Sequence, residues 1–151
     1  MNLPLITILG PTATGKTRLS VLLAQHIDAE IISADSRQVY RGMDIGSGKD
    51  LSDYAINGIS IPYHLIDIAE PGLEYNVFQY QQAVHKTHQN IKERGKNTIL
   101  CGGSGMYIEA VLKGYKLFPV PENEVLRKEF SLKSENELIQ ILSKLREYKN
   151  L

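Results

Sequence analysis

The sequence predicts an α/β fold, a parallel sheet flanked by helices, and three observations carry that prediction. Four short apolar runs alternate with longer segments of helical spacing, as βαβ units require. A glycine-rich loop joins the first run to the first helical segment. The 151 residues, 42% apolar and 23% charged, suffice for one compact domain with a core of its own. Leu5-Ile6-Thr7-Ile8-Leu9 is nearly continuously apolar, the pattern of a strand with helices over both sheet faces, and Gly10 ends it. Leu19, Leu22, Leu23, Ala24 and Ile27 then recur at helical spacing. A second strand follows in Glu30-Ile31-Ile32-Ser33 and a third in Tyr63-His64-Leu65-Ile66. Asn76 with Gln79 forms a capping box for a helix carried by Val77, Tyr80, Val84 and Ile91, which Arg94 and Gly95 can close. Thr98-Ile99-Leu100 is the fourth strand. After Gly114 the pattern changes, and Pro119 and Pro121 flank an irregular passage. The expected boundary separates a core of residues 1–115 from a short helical C-terminal segment, residues 116–151. There Ser134 and Glu137 make a second capping box, opening a helix whose stripe of Leu138, Ile141, Leu142 and Leu145 needs a surface to pack on.

Composition narrows the function. Seventeen Lys plus Arg balance seventeen Asp plus Glu, so no global positive field gathers nucleic acid or membrane, and any polyanion site must be a local cluster. No apolar run reaches the roughly eighteen residues of a membrane span, and Met1-Asn2-Leu3-Pro4 lacks the basic start of a signal peptide. A soluble, cytoplasmic protein without membrane contact is expected. The single cysteine, Cys101, cannot form an internal disulfide and reads as a small buried hydrophobe at a strand end.

Gly10-Pro11-Thr12-Ala13-Thr14-Gly15-Lys16-Thr17 fits the GxxxxGK[ST] spacing, between an apolar strand and an amphipathic helix. The core is therefore expected to be P-loop NTPase-like. Glycines let the backbone curl into a ring of N–H donors, the helix N-terminus adds partial positive charge, and Lys16 adds a full one. Thr17 can hold Mg²⁺, the expected cofactor. The loop does not reveal what its phosphates are attached to: kinases, nucleotide hydrolases and transferases with a diphosphate leaving group share this geometry.

Ser33-Ala34-Asp35-Ser36-Arg37-Gln38-Val39-Tyr40 leaves the second strand at its carboxyl end, where open α/β sheets bind ligands. Asp35 can share the P-loop's cleft, coordinating Mg²⁺ through water or taking a proton from a nucleophile, or it can cap the turn into Arg37. Arg37 and Gln38 offer a charge and an amide suited to nucleic-acid backbone and base edges. His64 and Asp67, if both on a strand, point to opposite faces and do not make a ligand pair. His85 and His88 read as a wet helix face among Gln81, Gln82, Lys86 and Gln89.

The sequence resembles the tRNA dimethylallyltransferases, also called tRNA isopentenyltransferases. The P-loop, the block from Asp35 to Lys49, Tyr63-His64-Leu65-Ile66-Asp67 and Gly102-Gly103-Ser104-Gly105-Met106-Tyr107 match in family order across roughly residues 4 to 130. The resemblance implies transfer of the dimethylallyl group of dimethylallyl diphosphate to N6 of an adenosine next to the tRNA anticodon. On that reading the P-loop holds a leaving group, not ATP, with Lys16 and Thr17 catalytic and Asp35 the general base. Asp35, Ser36, Arg37, Gln38, Ser104 and Arg127 then match positions that contact the tRNA anticodon loop; Ser104 stands where the family usually has Thr. Family members are considerably longer, so the last segment is expected to be a truncated part of the tRNA-binding region. Other readings are a small P-loop nucleotide or metabolite kinase, a relative that prenylates free adenine nucleotides, and an inactive diphosphate- or RNA-binding fragment. Oligomeric state, tRNA choice and prenyl length are not legible.

Overall fold

The computed structural model describes residues 4–56, 58–119 and 121–148; Met1, Asn2 and Leu3 of the expected non-signal start lie outside them. The elements in chain order are β1 (Leu5–Leu9), α1 (Lys16–Ile27), β2 (Ala29–Ala34), a short 3-10 turn (Leu51–Tyr54), β3 (Ala55–Ile56), β4 (Ile59–Ser60), β5 (Tyr63–His64), α2 (Val77–Glu93), β6 (Asn97–Gly102), α3 (Gly105–Leu112), α4 (Glu124–Ser131) and α5 (Glu135–Tyr148). Four strands form a parallel sheet in the order β1-β6-β2-β5. The last of the core strands in sequence, β6, thus lies between the first two. Their carboxyl ends, and the loops that leave them, come side by side.

Side chains alternate across this sheet as period-2 geometry demands. Ile32, Ala34 and Leu100 face Tyr80, Val84 and Ile91 of α2 and Ile108 and Val111 of α3. Ile31, Ile99 and Cys101 face Val21 and Ala24 of α1 and Tyr54 of the 3-10 turn. The capping box forms as expected: Asn76 Oδ1 accepts from the Gln79 N–H at 3.0 Å and Gln79 Oε1 from the Asn76 N–H at 2.9 Å. Tyr80 and Tyr107 stack with centroids 4.0 Å apart, joining α2 to α3. The Tyr80 hydroxyl donates to the Ser33 carbonyl at 2.9 Å and fixes the tip of β2.

Four expectations need correction. The strand expected over Tyr63-His64-Leu65-Ile66 ends at His64, because Leu65 and Asp67 take positive φ of 62° and 56°. His64 and Asp67 therefore do not share a strand. β1, read as covered on both faces, is half-buried and ends the described sheet, with Leu9 64% exposed. His88 does not lie on a wet face: its Nδ1 is 2.9 Å from the Oγ1 of buried Thr98. Burial and the nearby Lys92 and His85 lower its pKa. The short antiparallel pair β3–β4 had no signal in the apolar pattern.

The chain divides into two compact units between Leu117 and Phe118. The second contains α4, capped by Asn123 at the Leu126 N–H, and α5. Ser134 and Glu137 form the expected reciprocal cap, with the Ser134 N–H 2.7 Å from Glu137 Oε2. Leu142 and Leu145 on the α5 stripe are 61% and 58% exposed.

Candidate active site

Three loops leave the carboxyl ends of β1, β2 and β6 and meet above the sheet. The first is the P-loop. Ala13 and Gly15 take positive φ of 62° and 80°, which turns successive backbone N–H groups inward. Thr14 Oγ1 donates to the Pro11 carbonyl at 2.8 Å, and the Lys16 ammonium donates to the same oxygen. Lys16 and Thr17 open α1, so the loop delivers its cation and hydroxyl at a helix N-terminus.

The second loop begins with Asp35. Its Oδ1 accepts the N–H groups of Arg37 at 2.9 Å and of Gln38 at 3.4 Å, so it caps its own turn while facing the P-loop. The capping role left open by the sequence is present, and the carboxylate also lines the P-loop's cleft. Gln38 is held at both ends of its amide: Ser33 Oγ donates to Oε1 at 2.9 Å, and Nε2 donates to the Gly48 carbonyl at 3.2 Å. The Gly46-Ser47-Gly48 rim is thereby drawn toward Asp35.

The third loop follows β6. A Cβ on Gly102 would lie 2.1 Å from the Ala34 carbonyl oxygen, so only glycine lets β6 approach the end of β2. A Cβ on Gly103 would make only a close contact, 3.2 Å from the Gly10 carbonyl, which a small shift relieves, whereas Gly105 has open space around it. Ser104 Oγ accepts the Ser36 N–H at 2.8 Å and lies 3.2 Å from Ser36 Oγ, tying the second loop to the third.

These loops enclose a cavity of about 360 Å³ lined by Thr12 to Arg18, Asp35, Gln38, Ser47, Gly48 and Gly102, with Ser33, Tyr54 and Cys101 among its deeper walls. A second cleft of about 450 Å³ lies over Gly10, Pro11, Thr12, Asp35, Ser36, Arg37 and Ser104. Asp35, Thr12, Ser47, Gly48 and Gly103 line both, so the carboxylate stands where the two spaces adjoin. Burial pushes the Cys101 thiol up, which keeps it protonated in the wall, as its reading as a small hydrophobe requires.

Of the expected site residues, those of the P-loop, Asp35, Ser36, Arg37, Gln38 and Ser104 come together. Arg127 belongs to the second unit, where its guanidinium pairs with Glu122 at 2.9 Å. Hard oxygen donors suited to Mg²⁺, the Thr17 hydroxyl and the Asp35 carboxylate, line one cavity. Among the described residues there is no cluster of three His, Cys, Asp or Glu able to hold a metal. Sequence reasoning gave no role to Lys49 or to the glycine rim before it. Two positive-φ glycines, Gly46 and Gly48, between Asp44 and Lys49 were the available signal.

The family model described as IPP transferase matches residues 38–150. The chain belongs to the IPP transferase family. It is 63% identical over 139 residues to tRNA dimethylallyltransferase 1 of Parabacteroides distasonis, covering 92% of this chain and 45% of that protein. It is 60% identical over 139 residues to tRNA dimethylallyltransferase 2 of Bacteroides fragilis, again covering 92% and 45%. Among solved structures, the full-length tRNA isopentenylpyrophosphate transferase of Bacillus halodurans superposes with a TM-score of 0.72 at 38% identity, covering 95% of this chain and 48% of that one. A eukaryotic dimethylallyltransferase acting on tRNA superposes at 0.63 and 26% identity, covering 89% and 31%. The chain spans about half the length of these bacterial relatives. The parallel sheet flanked by helices is the P-loop NTPase-like core of that family.

Proposed function

We propose that this chain supplies the diphosphate-binding and base-bearing part of a tRNA dimethylallyltransferase acting in the cytoplasm. The observation that carries the reading is the placement of Asp35 on the shared wall of the P-loop cavity and the adjoining cleft. One space suits a diphosphate and the other an extruded acceptor base. In the reaction the adenosine N6 bonds to the allylic carbon as the carbon–oxygen bond breaks, and diphosphate leaves with the electron pair. Asp35 takes the N6 proton, which makes a weakly nucleophilic amine a better one. Lys16 and the loop N–H groups stabilise charge gathering on the departing oxygen. Mg²⁺ held by Thr17 and the diphosphate would add Lewis-acid stabilisation. Ser36, Arg37 and Ser104 border the cleft and are assigned to the anticodon loop, and Arg127 of the second unit is assigned to the same tRNA.

The test incubates the chain with Mg²⁺, radiolabelled dimethylallyl diphosphate and unmodified tRNA. Label entering tRNA, reduced at least about a hundredfold by Asp35→Asn, is the expected result. ATP-dependent phosphorylation of a small acceptor, or transfer that Asp35→Asn leaves intact, would overturn the assignment. If the chain transfers nothing by itself, saturable binding of magnesium diphosphate that Lys16→Ala weakens still distinguishes a diphosphate-binding core from an unrelated fold.

A further inference from the structure

Lys49 carries a positive charge into a junction between loops, where its partners Asp44 and Asp67 are 69% and 35% exposed. Its side chain is fully buried, an arrangement that is costly unless every donor is matched. Here the match is complete. The ammonium has three protons and three acceptors: the Tyr40 carbonyl at 3.1 Å, Asp44 Oδ1 at 2.8 Å and Asp67 Oδ1. Burial works to lower its pKa, but the bonds to Asp44 and Asp67 outweigh burial and hold it above its ordinary value. The lysine therefore stays charged.

The three acceptors lie on two stretches of chain: Tyr40 and Asp44 on the loop after β2, which also carries the glycine rim and Lys49, and Asp67 in the turn after β5. Four backbone bonds run across the same junction. The Asp67 N–H donates to the Gln38 carbonyl at 3.0 Å, the Ile68 and Ala69 N–H groups donate to the Val39 carbonyl at 2.8 and 2.9 Å, and the Arg41 N–H donates to the Ala69 carbonyl at 2.9 Å. Gln38 is thus gripped through its main chain by the Asp67 turn and through its amide by Gly48, the residue next to Lys49. Without the ammonium, the Asp44 and Asp67 carboxylates would repel each other across its empty place.

We propose that Lys49 is a positioning residue for the acceptor side of the site, holding the Gly46–Gly48 rim against Gln38 and so setting where an RNA strand meets Asp35. The P-loop makes none of these bonds, while Ser47 and Gly48 of the rim border both spaces, so the staple bears on the RNA side more strongly than on a diphosphate held chiefly by the P-loop. The proposal rests on the reading of the adjoining cleft as the RNA side.

The test compares the unaltered chain with Lys49→Met, Asp44→Asn and, as a control, Lys96→Met. Lys96 pairs with Asp28, beside the start of β2, at the end of the sheet away from the P-loop. Hydrogen exchange is read at the Arg41 and Asp67 amides, and binding is measured for magnesium diphosphate and for an unmodified tRNA anticodon stem-loop. Lys49→Met should speed exchange at both amides at least tenfold while β1, β2 and β6 remain protected. It should weaken RNA binding about tenfold and diphosphate binding by no more than about threefold, a split that general loss of stability would not produce. Asp44→Asn should act in the same direction, by about threefold, and Lys96→Met should change none of these readings. Unchanged exchange, or an unchanged ratio of RNA to diphosphate affinity, in a folded Lys49→Met protein overturns the proposal. If that variant does not fold, Asp44→Asn decides by the same criteria. An unaltered chain that binds no diphosphate defeats the functional reading instead, and the exchange result still decides the staple.

Discussion

At the amino-terminal end of β2, Glu30 is buried and closed by charge: Arg94 donates to both of its oxygens and His64 Nε2 lies 2.7 Å from Oε2. At the carboxyl-terminal end of the same strand, Asp35 is half-buried and receives only two backbone N–H groups, and among the described residues it forms no ion pair. Across the cavity, Lys16 donates to a backbone carbonyl rather than to a carboxylate. One end of the sheet spends its charges on each other and gains rigidity. The other leaves a cation and an anion facing a space large enough for a ligand. Charges matched within the fold stabilise it, whereas charges held by backbone dipoles alone remain available to a substrate.

Substitutions at the two ends should separate stability from binding, and a shared element should merge them. Gly102→Ala would break the contrast, because its Cβ meets the Ala34 carbonyl and pushes β6 from β2 beneath all three loops. Overpacking against backbone should cost about 3 kcal/mol or more, read as a large fall in melting temperature together with lost diphosphate binding. Gly105→Ala, with open space around it, should do neither. Lys16→Ala acts at the binding end alone. Losing a charged hydrogen-bond donor to phosphate is worth about 2 kcal/mol, roughly thirtyfold in affinity, with little change in melting temperature.

Glu30→Gln sharpens the other side. Breaking a buried pair typically costs several kcal/mol, but the Arg94 and His64 side chains are 45% and 29% exposed and can rehydrate. A loss of about 2 kcal/mol is expected, with diphosphate affinity unchanged. Burial alone would raise the Glu30 pKa, yet the bonds from Arg94 and His64 prevail and hold it below 4.5. Its stabilisation is therefore present above that pH and is lost as pH falls further. Denaturant unfolding between pH 6 and 3 should show this slope in the unaltered chain and a flatter one in Glu30→Gln. His88→Gln should give the smallest effect. The His88 pKa is lowered, so its contribution is intact above 6.5 and declines as pH falls below it. The variant should lose that part of the pH dependence, with a melting shift of about 2 °C.

The contrast also marks what is legible in a sequence. The P-loop could be read from eight consecutive residues because its function lies in local backbone: glycines at two positions, a lysine and a threonine at the start of a helix. The capping boxes at Asn76 and Ser134 were legible for the same reason, each being satisfied within one turn. The apolar Leu65 and Ile66 predict a longer strand after Ile61, because apolarity does not reveal that Leu65 and Asp67 adopt positive φ. The polar helical neighbours of His88 predict a wet face, while the group that bonds to it, Thr98, is ten residues away on β6.

The sequence by itself determined the order of strands and helices, the phosphate cradle and the carboxylate that follows the second strand, because hydrophobic period and loop chemistry are properties of neighbouring residues. The tertiary structure decided which of these meet. Insertion of β6 between β1 and β2 brings Gly102 and Ser104 to the other two loops, and it requires a glycine because two backbones come closer than a Cβ allows. The partners of Lys49 and Glu30 were likewise settled in three dimensions. A buried charge is satisfied by whatever polar groups the packing brings to it, and those lie 18 and 64 residues away in the chain for the Lys49–Asp67 and Glu30–Arg94 pairs.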